Sequence, residues 1–249
     1  MHIDLIGSTS AGKTTLAKKM MEAGKNSGVD VSLSDDFMLE QLYLGWVKNE
    51  FFRRRFVEII AFMIWLTCLA KYKEFFGLVV RESRSSPGSW FYKMNRIRNV
   101  IRKIGIYEFI SRRVGSQQVV LADNEGILQG VHNLFVHQNG QADLHKIARY
   151  VELVPLPDVV LYLRQEESVL VARTIERGHG RVTENSHDKV VHFVRQAVAV
   201  FNELINVPKV QERLLIVDGQ LNIQHEVESS VGVKFQRVSE LVRSGRLIS

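Results

Sequence analysis

The chain has 249 residues, 45% of them apolar and 24% charged, an ordinary globular balance that excludes collagen-like, prion-like and disordered classes. Its one cysteine, Cys68, excludes an internal disulfide and fits a reducing compartment. Net charge is +6 but unevenly spread: residues 48–118 hold 15 Lys and Arg against 5 Glu and no Asp, and the remainder is net −4. Such a basic segment can attract phosphates, nucleic acid or anionic lipid, or can simply be a solvated face.

In chain order, "HIDLIG" reads as a first strand, followed at once by "GSTSAGKTT", residues 7–15. Glycine, four residues and Gly-Lys-Thr is the pattern of a phosphate-binding loop. Gly7 permits the turn after the strand and Gly12 permits close approach of the backbone to phosphate oxygens. The amides of Gly7, Ser8, Thr9, Ser10, Ala11, Gly12, Lys13, Thr14 and Thr15 and the helix N-terminus supply donors. Lys13 can neutralise the β- and γ-phosphates of ATP, and the Thr14 hydroxyl can ligate Mg2+. A first helix is expected from near Lys13, burying Leu16, Met20 and Met21. The early loop leaves no room for a signal or transit peptide, so the expected location is cytoplasmic.

A second strand, "VDVSLS", runs into "SDDFM". In an open α/β sheet, ligands gather at the carboxyl ends of strands. A carboxylate there can take the proton of an attacking hydroxyl, so Asp35 is the candidate base and Asp36 a candidate substrate contact; either could instead cap a helix expected after Asp36. Two helices are expected in the basic segment, either side of "RESRSSPGSW". The apolar run "FVEIIAFMIWLTCLA" is shorter than the roughly 20 residues that span a bilayer and contains Glu58, so it reads as a buried helix. An interfacial membrane helix flanked by "RRR" and "KYK" is the alternative.

The third strand ends in "VVLADNEG", where Asp123 is the candidate second magnesium ligand and Glu125 could position substrate or water; Asn124 and Gly126 could equally mark an ordinary turn. "DLHKIARYVEL" is amphipathic. "PDVVLYLRQEESVLVARTIERGHGRV" reads as a fourth strand, then a helix with Arg173 and Arg177, then a glycine-flanked tip with Arg181. Arg177 and Arg181 can hold phosphoryl oxygens as charge shifts, whereas Arg173 reads equally as surface. "DKVVHFVRQAVAVFNELI" repeats apolar residues on one helical face, and "LLIVDG" is a fifth strand. His187/His192 and His132/His137 are each five apart, a poor spacing for one helical face, so no zinc site is expected.

Near-continuous Val/Leu/Ile strands alternating with helices imply a parallel sheet covered on both faces. The expected fold is an α/β P-loop NTPase: a single domain over 1–249, a three-layer sandwich on a five-stranded parallel sheet. A helical insertion is expected at about 48–118 and a lid at about 173–187.

"GSTSAGKTTLAKKM" followed by "SLSDDFM" resembles the opening of the uridine kinase and nicotinamide riboside kinase family. There the first Asp of the turn is the general base, which falls on Asp35. From roughly Val119 to Val231, through the lid of "PDVVLYLRQEESVLVARTIERGHGRV" and "LLIVDGQ", the chain resembles thymidylate kinases, whose arginines close over the transferring phosphate. The resemblance implies an ATP- and Mg2+-dependent kinase acting on a hydroxyl of a nucleoside- or sugar-like small molecule. Two alternatives stand beside it: a nucleoside monophosphate kinase of thymidylate-kinase type, and an NTP-dependent module whose basic segment binds nucleic acid or an anionic membrane.

Overall fold

The computed structural model describes residues 1–86, 89–122, 126–137, 142–178 and 186–219. Five strands, β1 (His2–Ile6), β2 (Asp30–Leu33), β3 (Gln118–Ala122), β4 (Val159–Arg164) and β5 (Leu214–Asp218), form one sheet in the order β2-β3-β1-β4-β5. Every pairing is parallel; Ile3, for example, lies opposite Leu121 on one side and Val159 on the other. This is the α/β architecture the strand pattern implied. Side chains alternate across β3: Val119 and Leu121 enter one apolar cluster, and Val120 enters a second with Phe37, Ala61 and Phe109. Both faces of the sheet are therefore covered by helices, which is why the strands read as unbroken apolar runs.

Helix α1 (Lys13–Asn26) follows β1 and buries Leu16 and Met20, with Met21 half-buried. Helix α2 (Ser34–Gln41) begins earlier than expected, so that Asp35 and Asp36 occupy its first turn, where negative charge suits the positive end of the helix. The basic segment differs more. In place of two helices it forms three: α3 (Glu50–Cys68), α4 (Lys73–Ser85) and α5 (Trp90–Arg113).

The break after α3 has a tertiary cause. Glu108 of α5 accepts a bond from the Tyr72 hydroxyl and is paired with Lys71 at 2.6 Å and Arg112 at 2.8 Å, so the turn between α3 and α4 is tied to α5. Burial works against this carboxylate, but Lys71, Tyr72 and Arg112 outweigh it and hold the Glu108 pKa below its ordinary value. Elsewhere α3 meets α5 at Gly105, where an added Cβ would lie 2.0 Å from the Ala61 carbonyl oxygen.

Helices α6 (Gly130–Phe135), α7 (His145–Leu153), α8 (Glu167–Arg177), α9 (His187–Asn206) and the short α10 (Pro208–Gln211) complete the described chain. The α9 face buries Val190, Phe193, Val194, Ala197, Phe201 and Leu204 as the periodicity required, with Ile205 half-buried. Among the described residues, no helix is long and apolar enough to cross a membrane.

Candidate functional site

The loop between β1 and α1 turns on two glycines. Gly7 has φ +149°, and a Cβ there would meet the Leu163 carbonyl oxygen at 2.9 Å; Gly12 has φ +102°. Only glycine holds such angles without strain. Gly12 is also the N-cap of α1, so no side chain caps the helix and no acidic residue sits in its first turn. An uncapped, positively polarised helix end is left facing whatever enters the loop.

Lys13 is buried and folds back over the loop, its Nζ donating to the carbonyls of Gly7 at 2.9 Å and Ser8 at 3.0 Å. Its charge is thereby held at the mouth of a 410 Å³ cavity lined by residues of the loop (Thr9, Ser10, Gly12, Lys13, Thr14, Thr15), by Gln129, His132 and Asn133, and by Arg177. Arg177 arrives as the last residue of α8, which stops at Gly178 with φ +62°. The same helix touches the loop through Thr174, whose hydroxyl donates to Ser10 Oγ at 3.4 Å. Arg173 is half-buried and does not line the cavity.

Sequence reasoning missed the second wall. Gln129 grips both ends of Gly7: its Oε1 accepts from the Gly7 amide at 3.1 Å, and its Nε2 donates to the Gly7 carbonyl at 3.2 Å. His132 is 3.3 Å from the Thr9 hydroxyl and packs its ring against Phe193 and Phe201 of α9.

The segment carrying Gln129 is itself anchored from below. Asp4 of β1, fully buried, accepts from the Leu128 amide at 3.1 Å. Lys103 donates to the Gly126 carbonyl at 2.9 Å, and the Tyr150 hydroxyl to the Ile127 carbonyl at 2.6 Å. Gly126 is required here, since a Cβ would fall 2.6 Å from Asp4 Cγ. Burial raises the Asp4 pKa and lowers that of its neighbour His2, 3.4 Å away.

The two acids after β2 lie outside this cavity. Asp35 Oδ2 accepts from Arg102 at 2.6 Å, and Asp36 is paired with Arg53, which also donates to the Val47 carbonyl at 3.1 Å. The basic segment thus meets the end of β2 by giving each carboxylate a guanidinium. Asp123, Glu125 and Arg181 lie outside the described residues. Among the described residues, no group of three or more His, Cys, Asp or Glu is placed to hold a metal ion.

No family model matches the chain, and no curated protein matches it. Among solved structures it is similar to deoxyadenosine kinase from M. mycoides in two forms. The form with products dCMP and a flexible dCDP bound aligns over 98% of this chain and 100% of that one, at 13% identity and a TM-score of 0.46. The form with bound dATP aligns over 96% and 99%, at 11% identity and a TM-score of 0.45. A likeness this distant assigns no chemistry, so the functional reading rests on the loop, the cavity and the acid–guanidinium pairs.

The charge of the basic segment also reads differently in three dimensions. Arg53, Arg55, Lys71, Arg98, Arg102 and Arg112 are all committed to carboxylates, and Lys93 and Lys103 donate to backbone carbonyls. Arg55 and Arg98 share Glu58, and Lys71 and Arg112 share Glu108, so the segment keeps most of its net positive charge.

Proposed function

We propose that the protein is an ATP- and Mg2+-dependent kinase that moves the γ-phosphate to a hydroxyl of a nucleoside- or sugar-like small molecule. The observation that carries this reading is the polar cavity over the glycine loop, where Lys13, Thr14 and Arg177 converge. The loop amides and Lys13 would bind the phosphates. Arg177, with Arg181 from the proposed lid at 173–187, would steady the transferring group as its charge moves outward. Thr14, exposed at the cavity, fits a magnesium ligand by chemistry and position, with Asp123 proposed beside it. When bound, magnesium supplies charge neutralisation between the phosphates.

Asp35 is the proposed base. Its carboxylate is oriented by Arg102 at 2.6 Å, and it would accept the hydroxyl proton as the oxygen attacks phosphorus and the bond to the leaving ADP breaks. The resemblance of "SDDF" to the uridine and nicotinamide riboside kinases supports that role. A monophosphate acceptor would need cations free to hold a second anion. Arg53 and Arg102, beside the proposed acceptor position, are instead matched by Asp36 and Asp35, which favours a neutral acceptor. Asp36 and Glu125 are proposed substrate contacts, and the segment 48–118 is proposed to shape the acceptor site. That segment mixes large apolar runs with its basic residues and buries apolar side chains along α3, α4 and α5, which suits a packed helical subdomain better than an open groove for a polyanion.

The test is magnesium-dependent ADP release by the purified protein against pooled nucleosides, nucleoside monophosphates, sugars and aminoglycosides. Stimulation by a hydroxyl pool is expected. Stimulation by the monophosphates alone would replace this reading with the monophosphate kinase, and steeply salt-dependent binding of nucleic acid with no stimulated pool would replace it with a binding module.

A further inference from the structure

Helix α3 buries one face against the fold, through Val57, Ala61, Trp65 and Cys68. Its opposite face is equally apolar and faces outward: Phe52 is 54% exposed, Phe56 37%, Ile59 60%, Met63 58% and Leu66 44%. These residues follow one another at steps of four, three, four and three. That is the spacing at which a helix keeps one straight seam against another helix, here about 21 Å long at 1.5 Å per residue.

Beside the seam lies a 470 Å³ groove, walled by Ile59 and Phe62 of α3 and by Phe91, Met94, Ile97 and Ile101 of α5. Ridge and hollow thus occur on the same surface. We propose that this face is where two copies of the chain pair as a symmetric dimer, the α3 seam of each copy seated in the groove of the other.

Three observations favour a second copy. A twofold interface must be self-complementary, presenting both knob and hole, and the seam with its groove does so. The area is sufficient: with about half of each ~200 Å² side chain open, seam and groove rim offer on the order of 800 Å² of apolar surface per copy, what a stable interface buries on each partner. The largest apolar patch on a typical monomer is only about 300–600 Å².

The groove also carries an acidic residue paired to the arginines around it. Glu58, which lines the groove, is paired with Arg55 at 3.0 Å and Arg98 at 3.2 Å. An anionic bilayer is gripped by cations around a convex apolar face, whereas this surface sets a hollow beside its ridge and a carboxylate, Glu58, in the lining of that hollow. The proposal is independent of the reaction the protein performs.

Sedimentation velocity of the full chain at micromolar concentration tests it. The expected species has twice the 28.5 kDa of one chain. Phe62→Glu, which places a charge in the groove of both copies, is expected to weaken pairing about a hundredfold. Should that variant unfold by circular dichroism, Ile59→Ala and Met63→Ala carry the test, each expected to weaken pairing about tenfold. Met63→Cys should give a cross-linked dimer with a short bismaleimide, while the wild-type chain, whose Cys68 is buried, should not. A wild-type monomer, or a dimer that survives Phe62→Glu undiminished, overturns the proposal. So does a wild-type chain that floats with phosphatidylcholine–phosphatidylglycerol vesicles when Phe62→Glu does not, which would assign the face to a membrane.

Discussion

Replacing Gln129 by leucine removes both bonds that fix Gly7 without greatly changing volume. The Gly7 carbonyl keeps the Lys13 ammonium at 2.9 Å, but its amide loses the Gln129 oxygen at 3.1 Å. A buried N–H left without a partner costs about 1–3 kcal/mol, and the second lost bond adds about 0.5–1 kcal/mol. A total near 2–3 kcal/mol in a chain of this size lowers Tm by roughly 4–12 °C. The loop also loses the clamp that holds its first turn ready for phosphate, so ATP affinity should fall about tenfold or more, worth ~1.4 kcal/mol.

Gln129→Glu adds a charge to the test. It keeps an acceptor for the Gly7 amide but loses the donor to the Gly7 carbonyl and sets an anion beside the phosphate cavity, so ATP affinity should drop further than in Gln129→Leu. Scanning calorimetry and isothermal titration on both variants provide the readouts. A Gln129→Leu protein that melts with the wild type and binds ATP within about twofold of it would refute the clamp.

Other perturbations have equally definite expectations. Asp35→Asn should keep ATP affinity within about twofold and lose about a hundredfold or more in acceptor-stimulated turnover, the usual contribution of a general base. Arg177→Ala, at an exposed helix end, should lower kcat about tenfold to a hundredfold without moving Tm; a fall in Tm would mean a structural role. Gly105→Ala drives a Cβ into the Ala61 carbonyl at 2.0 Å and should cost about 3 kcal/mol or more of stability by parting α3 from α5, seen as an early melting transition. His2 is kept neutral by burial, with its folded pKa below the ordinary 6.5. Between the two pKa values the unfolded chain binds the extra proton, so this residue makes stability fall as pH drops below about 6.5, by up to ~1.4 kcal/mol per pH unit. In denaturant titrations across that range His2→Gln should show a shallower acid-side slope; an unchanged slope would show that His2 does not titrate on unfolding.

The parts of the site that are local in sequence are the ones that could be read from it. The loop after β1 is one contiguous stretch whose glycines and lysine are dictated by backbone geometry and charge, and the structure assembles its cavity from that stretch. The strands were legible because burial on both faces demands unbroken apolar residues. What could not be read depends on distant partners. Arg102 reaches Asp35 across 67 positions, and no spacing announces such a pair. The division of the basic segment into three helices turns on Glu108 holding Lys71 and Tyr72, contacts formed only once α5 has packed.

Gln129 and His132 sit in a run, "ILQGVHNLF", with no motif. Their one sequence signal is a polar side chain within an otherwise apolar stretch, and the function emerges only when β1 brings Gly7 and Thr9 alongside. The start of α2 shows the same limit on a smaller scale. The acids of "SDDF" were expected ahead of the helix, yet they form its first turn, where the helix end and the guanidiniums of Arg53 and Arg102 stabilise them together.

Whether the protein transfers phosphate to a hydroxyl is decided by acceptor-stimulated ADP release from wild-type protein and Asp35→Asn side by side, with ATP binding measured on the same samples. A hydroxyl-bearing pool is expected to accelerate the wild type, whereas Asp35→Asn should bind ATP normally and lose the acceleration. Equal acceleration of both proteins would remove Asp35 as the base, and nucleotide binding in the wild type with no pool able to stimulate it would rule out the kinase.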